Sequence, residues 1–176
     1  MAFEIIQSER IFEGKVFAVR VDQVRMPDGR RARIDVVEHS GAVTMIPVDG
    51  QGMIWFVRQH RHPAGLDLLE LPAGVMDTGE APEISADREL REEIGMAAGR
   101  LRKVGEFFLA PGYSTEYMVV FLAEDLYNNP LNPDEDEQIT IVKVSPQQVR
   151  TLIEGGQIRD AKSLAALYLF DLFSRK

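Results

Sequence analysis

The sequence contains no cysteine, which excludes a disulfide framework and thiolate chemistry. A metal site would therefore use carboxylates, backbone carbonyls or histidine, and a reducing cytoplasm is the expected location. No apolar run is long enough to span a bilayer, and the N-terminus lacks the basic and apolar segments of a signal peptide. We therefore expect a soluble protein that makes no membrane contact.

Positive charge is also scarce, because 20 Lys and Arg face 28 Asp and Glu, for a net charge of −8 at pH 7. Nucleic acids are bound by positively charged surfaces, so no nucleic-acid partner is expected. A phosphate ligand would need a cation between it and the protein. With 176 residues, of which 45% are hydrophobic, the chain can bury a full core.

Valines alternating with charged residues predict β-structure over residues 3–39, with a turn at Pro27-Asp28-Gly29. We read residues 1–40 as an N-terminal β extension and residues 41–176 as the main domain. Ala42–Val48 and Met53–Arg58 are apolar, and the intervening Asp and Gly residues predict a hairpin within a central mixed sheet. Further strands are expected at Leu66–Pro72, Val104–Ala110, Tyr117–Ala123 and Ile139–Val144.

Three segments carry helix signals. The first runs from Ala81 to Ile94, with proline in its first turn and Gly95 at its end. Ser145-Pro146 predicts the start of a short helix over Gln147–Ile153, and Asp160 is a candidate N-cap for Ala161–Phe173. These elements together predict an α/β (α+β) fold.

The first of these helices carries Glu89, Glu92 and Glu93 at spacings i, i+3 and i+4, so the three carboxylates lie on one side of it. Like charges so placed destabilise a bare helix by roughly 0.2–0.5 kcal/mol per pair, which favours a bound cation. We expect the carboxylates to face outward. The residues expected to face the core are Ile84, Leu90 and Ile94.

The surrounding segment matches the pattern G-x5-E-x7-R-E-U-x-E-E-x-G-U, in which U is bulky and aliphatic. The matching residues are Gly74, Glu80, Arg88, Glu89, Leu90, Glu92, Glu93, Gly95 and Met96. This pattern resembles the Nudix box. The resemblance implies an α/β/α sandwich with a mixed central sheet, and a hydrolase that cleaves a diphosphate between a nucleoside and another group. It also implies Mg²⁺, for which Mn²⁺ or another divalent cation can substitute.

Carried over by position, the resemblance makes Glu89 and Glu93 the main metal ligands and Glu92 a further one, with Glu92 and Glu93 also catalytic. The backbone carbonyl of Ala73 would be another ligand. Arg88 would be structural: it can pair with Glu92 at i+4. By resemblance it also reaches Glu80, which would orient the carboxylates.

Two features outside the box resemble ADP-ribose pyrophosphatases. Arg58-Gln59-His60-Arg61 precedes Leu69–Gly74, and there Arg61 would contact a phosphate while Glu70 accepts hydrogen bonds from a ribose or another subunit. Pro111 follows Gly95 by sixteen residues, the spacing of a proline that marks this subgroup. The family usually has Ser before this proline, where this chain has Ala110.

An acidic loop at residues 134–137 and the N-terminal extension complete the resemblance. Glu135 or Glu137 would be the general base, and Glu137 could also bind metal, when the loop closes on the site. The extension would cross between the two subunits of a homodimer. Phe17 or Arg25 would then contact the nucleoside bound by the neighbouring subunit.

These features together predict Mg²⁺-dependent hydrolysis of ADP-ribose to AMP and ribose 5-phosphate. One alternative is another nucleoside diphosphate sugar, above all GDP-mannose, because the pyrophosphatases for that substrate share much of the pattern. A second alternative is a domain that senses a nucleotide without cleaving it. The intact box weighs against the second, and so does the lack of a helix-turn-helix or basic patch.

Overall fold

A computed structural model describes residues 2–133 and 138–174 of the chain. The backbone forms two compact units, one of Met1–Gly41 with Phe108–Tyr117 and one of Ala42–Phe107 with Met118–Lys176. A division into domains at residues 1–40 and 41–176 remains a prediction. The elements in chain order are β1 (Glu4–Glu13), β2 (Ala18–Arg25), β3 (Arg31–Glu38), β4 (Ala42–Pro47), β5 (Ile54–Arg61), a 3₁₀ turn (His62–Ala64), β6 (Leu66–Glu70), β7 (Ala73–Val75), α1 (Pro82–Glu93), β8 (Met96–Phe108), β9 (Tyr117–Asn128), β10 (Ile139–Val144), α2 (Pro146–Glu154) and α3 (Ala161–Ser174).

The first unit is an antiparallel sheet in the order β1-β2-β3. Its β2–β3 turn contains Gly29 with φ 86°, a left-handed conformation that glycine adopts without strain. The segment Phe108–Tyr117 is hydrogen-bonded to β3. The Val37 amide donates to the Tyr113 carbonyl at 2.8 Å, and the Val37 carbonyl accepts from the Thr115 amide at 2.9 Å. The β-structure predicted for residues 3–39 is therefore confirmed.

The second unit contains two sheets. One is mixed, in the order β7-β4-β9-β8, with β4 parallel to β9 and antiparallel to β7. The other is antiparallel, in the order β10-β5-β6. The mixed sheet is as predicted, but the hairpin of β4 with β5 is wrong. A tight turn joins them, with the Asp49 amide donating to the Met53 carbonyl at 3.0 Å beside one bridge of Val48 with Ile54. Beyond this turn the strands lie in different sheets, because each is already paired on both edges.

The core of the second unit is apolar and draws side chains from both sheets and from α2 and α3. Strand β4 is buried along its whole length, which explains its unbroken apolar sequence. The buried core residues are Ile46, Ile54, Phe56, Leu69, Leu71, Val120, Leu122, Val144, Val149, Ile158, Ala166 and Leu167.

The helices lie where their end signals predict. Helix α1 has proline in its first turn and ends before Gly95, which has φ 69°. Helix α2 begins with a reciprocal capping box between Ser145 and Gln148, and the Asp160 carboxylate accepts the amide hydrogen of Ser163 at the start of α3.

Strand β8 begins at Met96, eight residues earlier than expected, because the chain reverses directly at Gly95. Within the described residues, no helix has the length and apolar character needed to cross a membrane.

Candidate active site

Two of the three box carboxylates on α1 are buried, contrary to expectation. Glu89 is 8% and Glu93 5% exposed, while Ile84, expected in the core, is 61% exposed. The prediction that the carboxylates face outward is therefore wrong. The helix instead turns its Glu89 and Glu93 side toward the interior, and a buried carboxylate requires hydrogen bonds or charge partners to offset lost hydration.

Strand β7 supplies one such partner for Glu93. The backbone amide of Ala73 donates to Glu93 Oε2 at 3.0 Å, and so joins the last turn of α1 to the first residue of β7. Ala73 is the residue whose carbonyl the sequence proposes as a metal ligand. The Glu93 side chain of α1 thus fixes the backbone at Ala73, whose carbonyl is an expected metal ligand.

The neighbouring Gly74 allows Glu89 to approach the same strand closely. A Cβ atom at this position would lie 1.9 Å from the carboxyl carbon of Glu89 and 2.0 Å from its Oε1. No side chain can occupy that space unless the helix or the strand moves. Glycine at position 74 is therefore required by packing against a buried carboxylate.

We expect Gly74→Ala to lower the free energy of unfolding by about 2 kcal/mol, because overpacking forces a backbone shift. Urea unfolding with an unchanged m-value measures this. Gly50→Ala is the matched control, since a Cβ there has no atom within 4 Å and the backbone φ is not left-handed. Its expected effect is below about 0.5 kcal/mol. Equal stability of the two variants would show that the close approach at Gly74 is not a constraint.

Arg88 lies among the carboxylates of the box. Its Nη1 donates to Glu89 at 2.6 Å and to Glu92 at 3.1 Å, and its Nη2 donates to Glu80 at 3.2 Å and to the Val75 carbonyl at 3.2 Å. The expected pairs with Glu92 and Glu80 are both present. Burial alone would lower the pKa of Arg88, but the hydrogen bond to Glu80 and the charge of Glu89 raise it.

Glu80 anchors the loop that leads into α1. Its carboxylate accepts hydrogen bonds from the Ser85 hydroxyl, the Arg88 guanidinium and the Asp77 amide. The hydrogen bond from Ser85, followed by that from Arg88, lowers the pKa of Glu80 to about 2. Glu80 is thus a charged structural anchor, whereas Glu89 and Glu93 contact β7.

The residues at this site fit a hard divalent cation in their chemistry. Glu89, Glu92, Glu93 and the Ala73 carbonyl offer only oxygen, which Mg²⁺ prefers. Without a side chain at position 74, the Glu89 carboxylate lies directly against the loop backbone. No three His, Asp or Glu side chains are grouped as a complete metal site in residues 2–133 and 138–174. Glu89 and Glu92 are instead bound to the Arg88 cation.

Arg61 and Glu70 form a bidentate ion pair where β5 and β6 meet. Glu70 Oε1 accepts from Arg61 Nε at 3.0 Å, and Oε2 accepts from Nη2 at 2.8 Å. Glu70 is 1% exposed, whereas the Arg61 side chain is 39% exposed. The hydrogen bond to Glu70 raises the pKa of Arg61, and the negative charge of Glu93 adds to this effect. Glu70 is thus the main partner of Arg61, and Glu93 is a weaker electrostatic one.

The remaining predicted site residues lie in the first unit or outside the described residues. Pro111, Phe17 and Arg25 are in the first unit, where all three are exposed. Arg25 pairs there with Glu4 at 3.0 Å. Glu135 and Glu137 lie outside the described residues. Within the second unit, the predicted residues Ala73, Glu89, Glu92 and Glu93 lie on β7 and α1, and Arg61 pairs with Glu70.

Sequence reasoning missed the first turn of α3 as part of this region. Lys162 Nζ donates to Glu70 Oε2, and the Ser163 hydroxyl accepts the Leu71 amide hydrogen at 2.8 Å. Both partners lie 92 residues earlier in the chain. The only local signal was the N-cap at Asp160, which locates the helix but says nothing about its distant contacts.

Buried carboxylates on a helix that packs against a glycine-containing strand of a mixed sheet define an α+β domain with an acidic, oxygen-rich site. The chain belongs to the Nudix family: the model of the NUDIX domain matches residues 38–167. A second model, for the N-terminal domain of nucleoside diphosphate sugar hydrolases, matches residues 3–33. The chain is accordingly an enzyme, a Nudix hydrolase.

Two relatives carry the name ADP-ribose pyrophosphatase. The one from Bacillus subtilis (strain 168) is 37% identical over 169 residues, which cover 95% of this chain and 91% of the relative. The one from Mycobacterium tuberculosis (strain ATCC 25618 / H37Rv) is 47% identical over 125 residues, which cover 70% and 60%. The crystal structure of an ADP compounds hydrolase superposes with a TM-score of 0.88 at 24% identity, covering 99% of this chain and 95% of that one. This last likeness confirms the fold.

Proposed function

We propose that the chain hydrolyses ADP-ribose with water to give AMP and ribose 5-phosphate, in the presence of Mg²⁺. The observation that carries the proposal is the buried pair Glu89 and Glu93, which face a glycine loop. The names of the two relatives support ADP-ribose as the substrate. A buried acidic site with hard oxygen ligands suits a diphosphate that reaches it with a divalent cation.

In this proposal Glu89, Glu92, Glu93 and the Ala73 carbonyl would hold Mg²⁺, which when bound neutralises phosphate charge and favours attack by water. The protein itself positions these four oxygen ligands. Arg88 holds Glu89 and Glu92 by separate hydrogen bonds, and the Ala73 amide holds Glu93. These partners hold the three carboxylates near β7, and Glu89 and Glu92 would give up contacts with Arg88 on binding the cation.

Arg61 is the proposed phosphate-binding residue. A guanidinium matches the geometry of phosphate oxygens and keeps its charge at any working pH. The side chain is partly exposed, so it can reach a ligand, and Glu70 fixes its orientation. Glu70 itself is buried with both oxygens bonded to Arg61, so we propose that it serves binding through Arg61.

We retain Glu135 or Glu137 as the proposed general base, on the strength of the family resemblance alone. Replacing each in turn by Gln tests the choice. If only one of the two variants has a lowered kcat and the other stays near the wild-type rate, the residue replaced in the slow variant is the base. If neither variant changes kcat, the base lies elsewhere.

We further propose that the first unit forms a homodimer interface with a second copy. Strand β1 is exposed along its whole length, and Ile5, Ile11 and Phe12 are each more than half exposed. Such an apolar edge is typical of an interaction surface. Phe17 and Arg25 would then contact the nucleoside bound to the partner. Sedimentation equilibrium should give twice the 19.8 kDa chain mass, and a monomer would refute the interface.

A substrate panel tests the proposed specificity. We expect kcat/KM for ADP-ribose to exceed that for GDP-mannose by at least about tenfold, because specificity is the ratio of these constants. If GDP-mannose is cleaved equally well or better, the substrate proposal fails although hydrolysis stands. If ADP-ribose binds but no diphosphate in the panel is cleaved, the domain is a nucleotide sensor.

A further inference from the structure

A buried group of alternating charges links the first turn of α3 to Arg61. Glu70 is at its centre: both of its carboxylate oxygens accept hydrogen bonds from Arg61, and Oε2 also accepts one from Lys162. Lys162 also donates to Asp160 Oδ1 at 3.0 Å. Two cations therefore face two carboxylates, and each carboxylate is in contact with Lys162.

The two cations of this group differ in exposure. The Arg61 side chain is 39% exposed, but that of Lys162 is only 12% exposed and that of Glu70 only 2%. Burial alone would raise the pKa of the Glu70 carboxyl, but hydrogen bonds and charge from Arg61 and Lys162 hold it below the ordinary value. Lys162 thus neutralises Glu70 from the interior, while Arg61 does so from the accessible side.

The same turn of α3 also holds the strand that leads to the box. The Ser163 hydroxyl, on a fully buried residue, accepts the Leu71 amide hydrogen at 2.8 Å. Leu71 follows Glu70 and precedes Pro72 and Ala73, whose amide binds Glu93. Helix α3 therefore contacts the segment from Glu70 to Ala73 by an ion pair and by a hydrogen bond.

We propose that Lys162 is a positioning residue for diphosphate binding, which acts through Glu70 on the guanidinium of Arg61. This inference rests on the proposed function. A buried carboxylate with a single cation binds that cation tightly, because removing it would leave the charge uncompensated. With Lys162 as a second cation, Glu70 remains compensated when Arg61 shares its N–H donors with a phosphate. Without Lys162, Arg61 is the sole counter-ion of Glu70 and is less available to the substrate.

The test compares Lys162→Met and Lys162→Gln, which remove the charge, with Lys162→Arg, which keeps it. Each is made alone and together with Arg61→Met. Lys103→Met is the matched control, because Lys103 is an exposed lysine paired with Glu106. KM and kcat are measured with ADP-ribose, and the Kd of ADP is measured by calorimetry as a probe that needs no hydrolysis. All assays are run well below the Tm of the least stable variant.

We expect both charge-removing variants to raise KM and the Kd of ADP by about tenfold, with kcat changed less than about threefold. Lys162→Arg and Lys103→Met should remain near wild type. Combined with Arg61→Met, loss of Lys162 should weaken binding no further, because its effect passes through Arg61.

A purely structural role would lower Tm in all backgrounds without moving KM or Kd. Unchanged binding in Lys162→Met and Lys162→Gln, or effects that add to those of Arg61→Met, would overturn the proposal. If the Kd of ADP changes in the Lys162 variants as expected but the wild type cleaves no ADP-ribose, the proposed function fails and this inference stands. A wild type that cleaves ADP-ribose with a KM that Lys162→Met leaves unchanged overturns this inference alone, and the proposed function stands.

Discussion

Glu93→Gln is expected to lower kcat for ADP-ribose hydrolysis by about 10³-fold, equivalent to about 4 kcal/mol of transition-state stabilisation. The substitution removes a charge proposed to bind metal but keeps an oxygen that can accept the Ala73 amide hydrogen. The fold should therefore survive, and the loss should appear in kcat. Steady-state kinetics together with a thermal unfolding curve measure both effects.

Glu83→Gln is the matched control for this variant. Glu83 lies in the first turn of the same helix and is exposed, so the same change in charge is made away from β7. Its kcat should stay within about twofold of wild type, since exposed substitutions change stability and structure little. If Glu93→Gln is folded and turns over ADP-ribose at the wild-type rate, the box carboxylates are not the catalytic site.

Arg88→Met should be the most destabilising variant of the box, with a loss of about 3 kcal/mol in the free energy of unfolding. The substitution leaves Glu80, Glu89 and Glu92 close together without the cation that all three contact. Divalent metal should restore part of this stability, because it offers another cation to the same carboxylates. Urea unfolding with Mg²⁺ and with chelator measures both effects.

Arg100→Met is the control, because Arg100 is 52% exposed and its pair with Glu124 at 3.3 Å is a surface pair. Such pairs contribute less than about 1 kcal/mol. If Arg88→Met costs no more than this control, Arg88 does not stabilise the carboxylate group.

The fall in the free energy of unfolding at acidic pH gives a second test of the role of Arg88. In the wild type the folded pKa of Glu80 is lowered from 4.5 to about 2, so its stabilisation is complete above the ordinary value and is lost as the pH falls toward 2. Hydrogen bonds from Ser85 and then from Arg88 cause this shift. Arg88→Met should therefore lose less unfolding free energy than wild type over the same pH range. Parallel curves for the two proteins would contradict this role.

Much of the fold follows from local signals in the sequence. Proline and glycine at the ends of α1, and the Ser145 capping box at α2, mark helices through interactions within a few residues. The partners of a strand are not local. The hairpin of β4 with β5 was wrong because β4 pairs with β9, more than 70 residues later, and nothing within the β4 sequence specifies that partner.

The site was predictable as a set of residues but not as a geometry. The spacing of Glu89, Glu92 and Glu93 predicts a shared helix face, yet their charge suggested solvent exposure. Burial of Glu89 and Glu93 depends on Gly74 and on the Ala73 amide, which reach them only when β7 packs on α1. The contact of Lys162 with Glu70 spans 92 residues and leaves no periodic pattern that a reader of the sequence could detect.

The most direct test of the proposed activity is the rate at which the wild-type protein forms AMP from ADP-ribose, followed with Mg²⁺ and with excess chelator. With Mg²⁺ we expect AMP and ribose 5-phosphate in equal amounts, since a single diphosphate bond is cleaved by one water. With chelator we expect no product above the buffer background. Absence of AMP with Mg²⁺, or an equal rate with chelator, would contradict a Mg²⁺-dependent hydrolase built on Glu89 and Glu93.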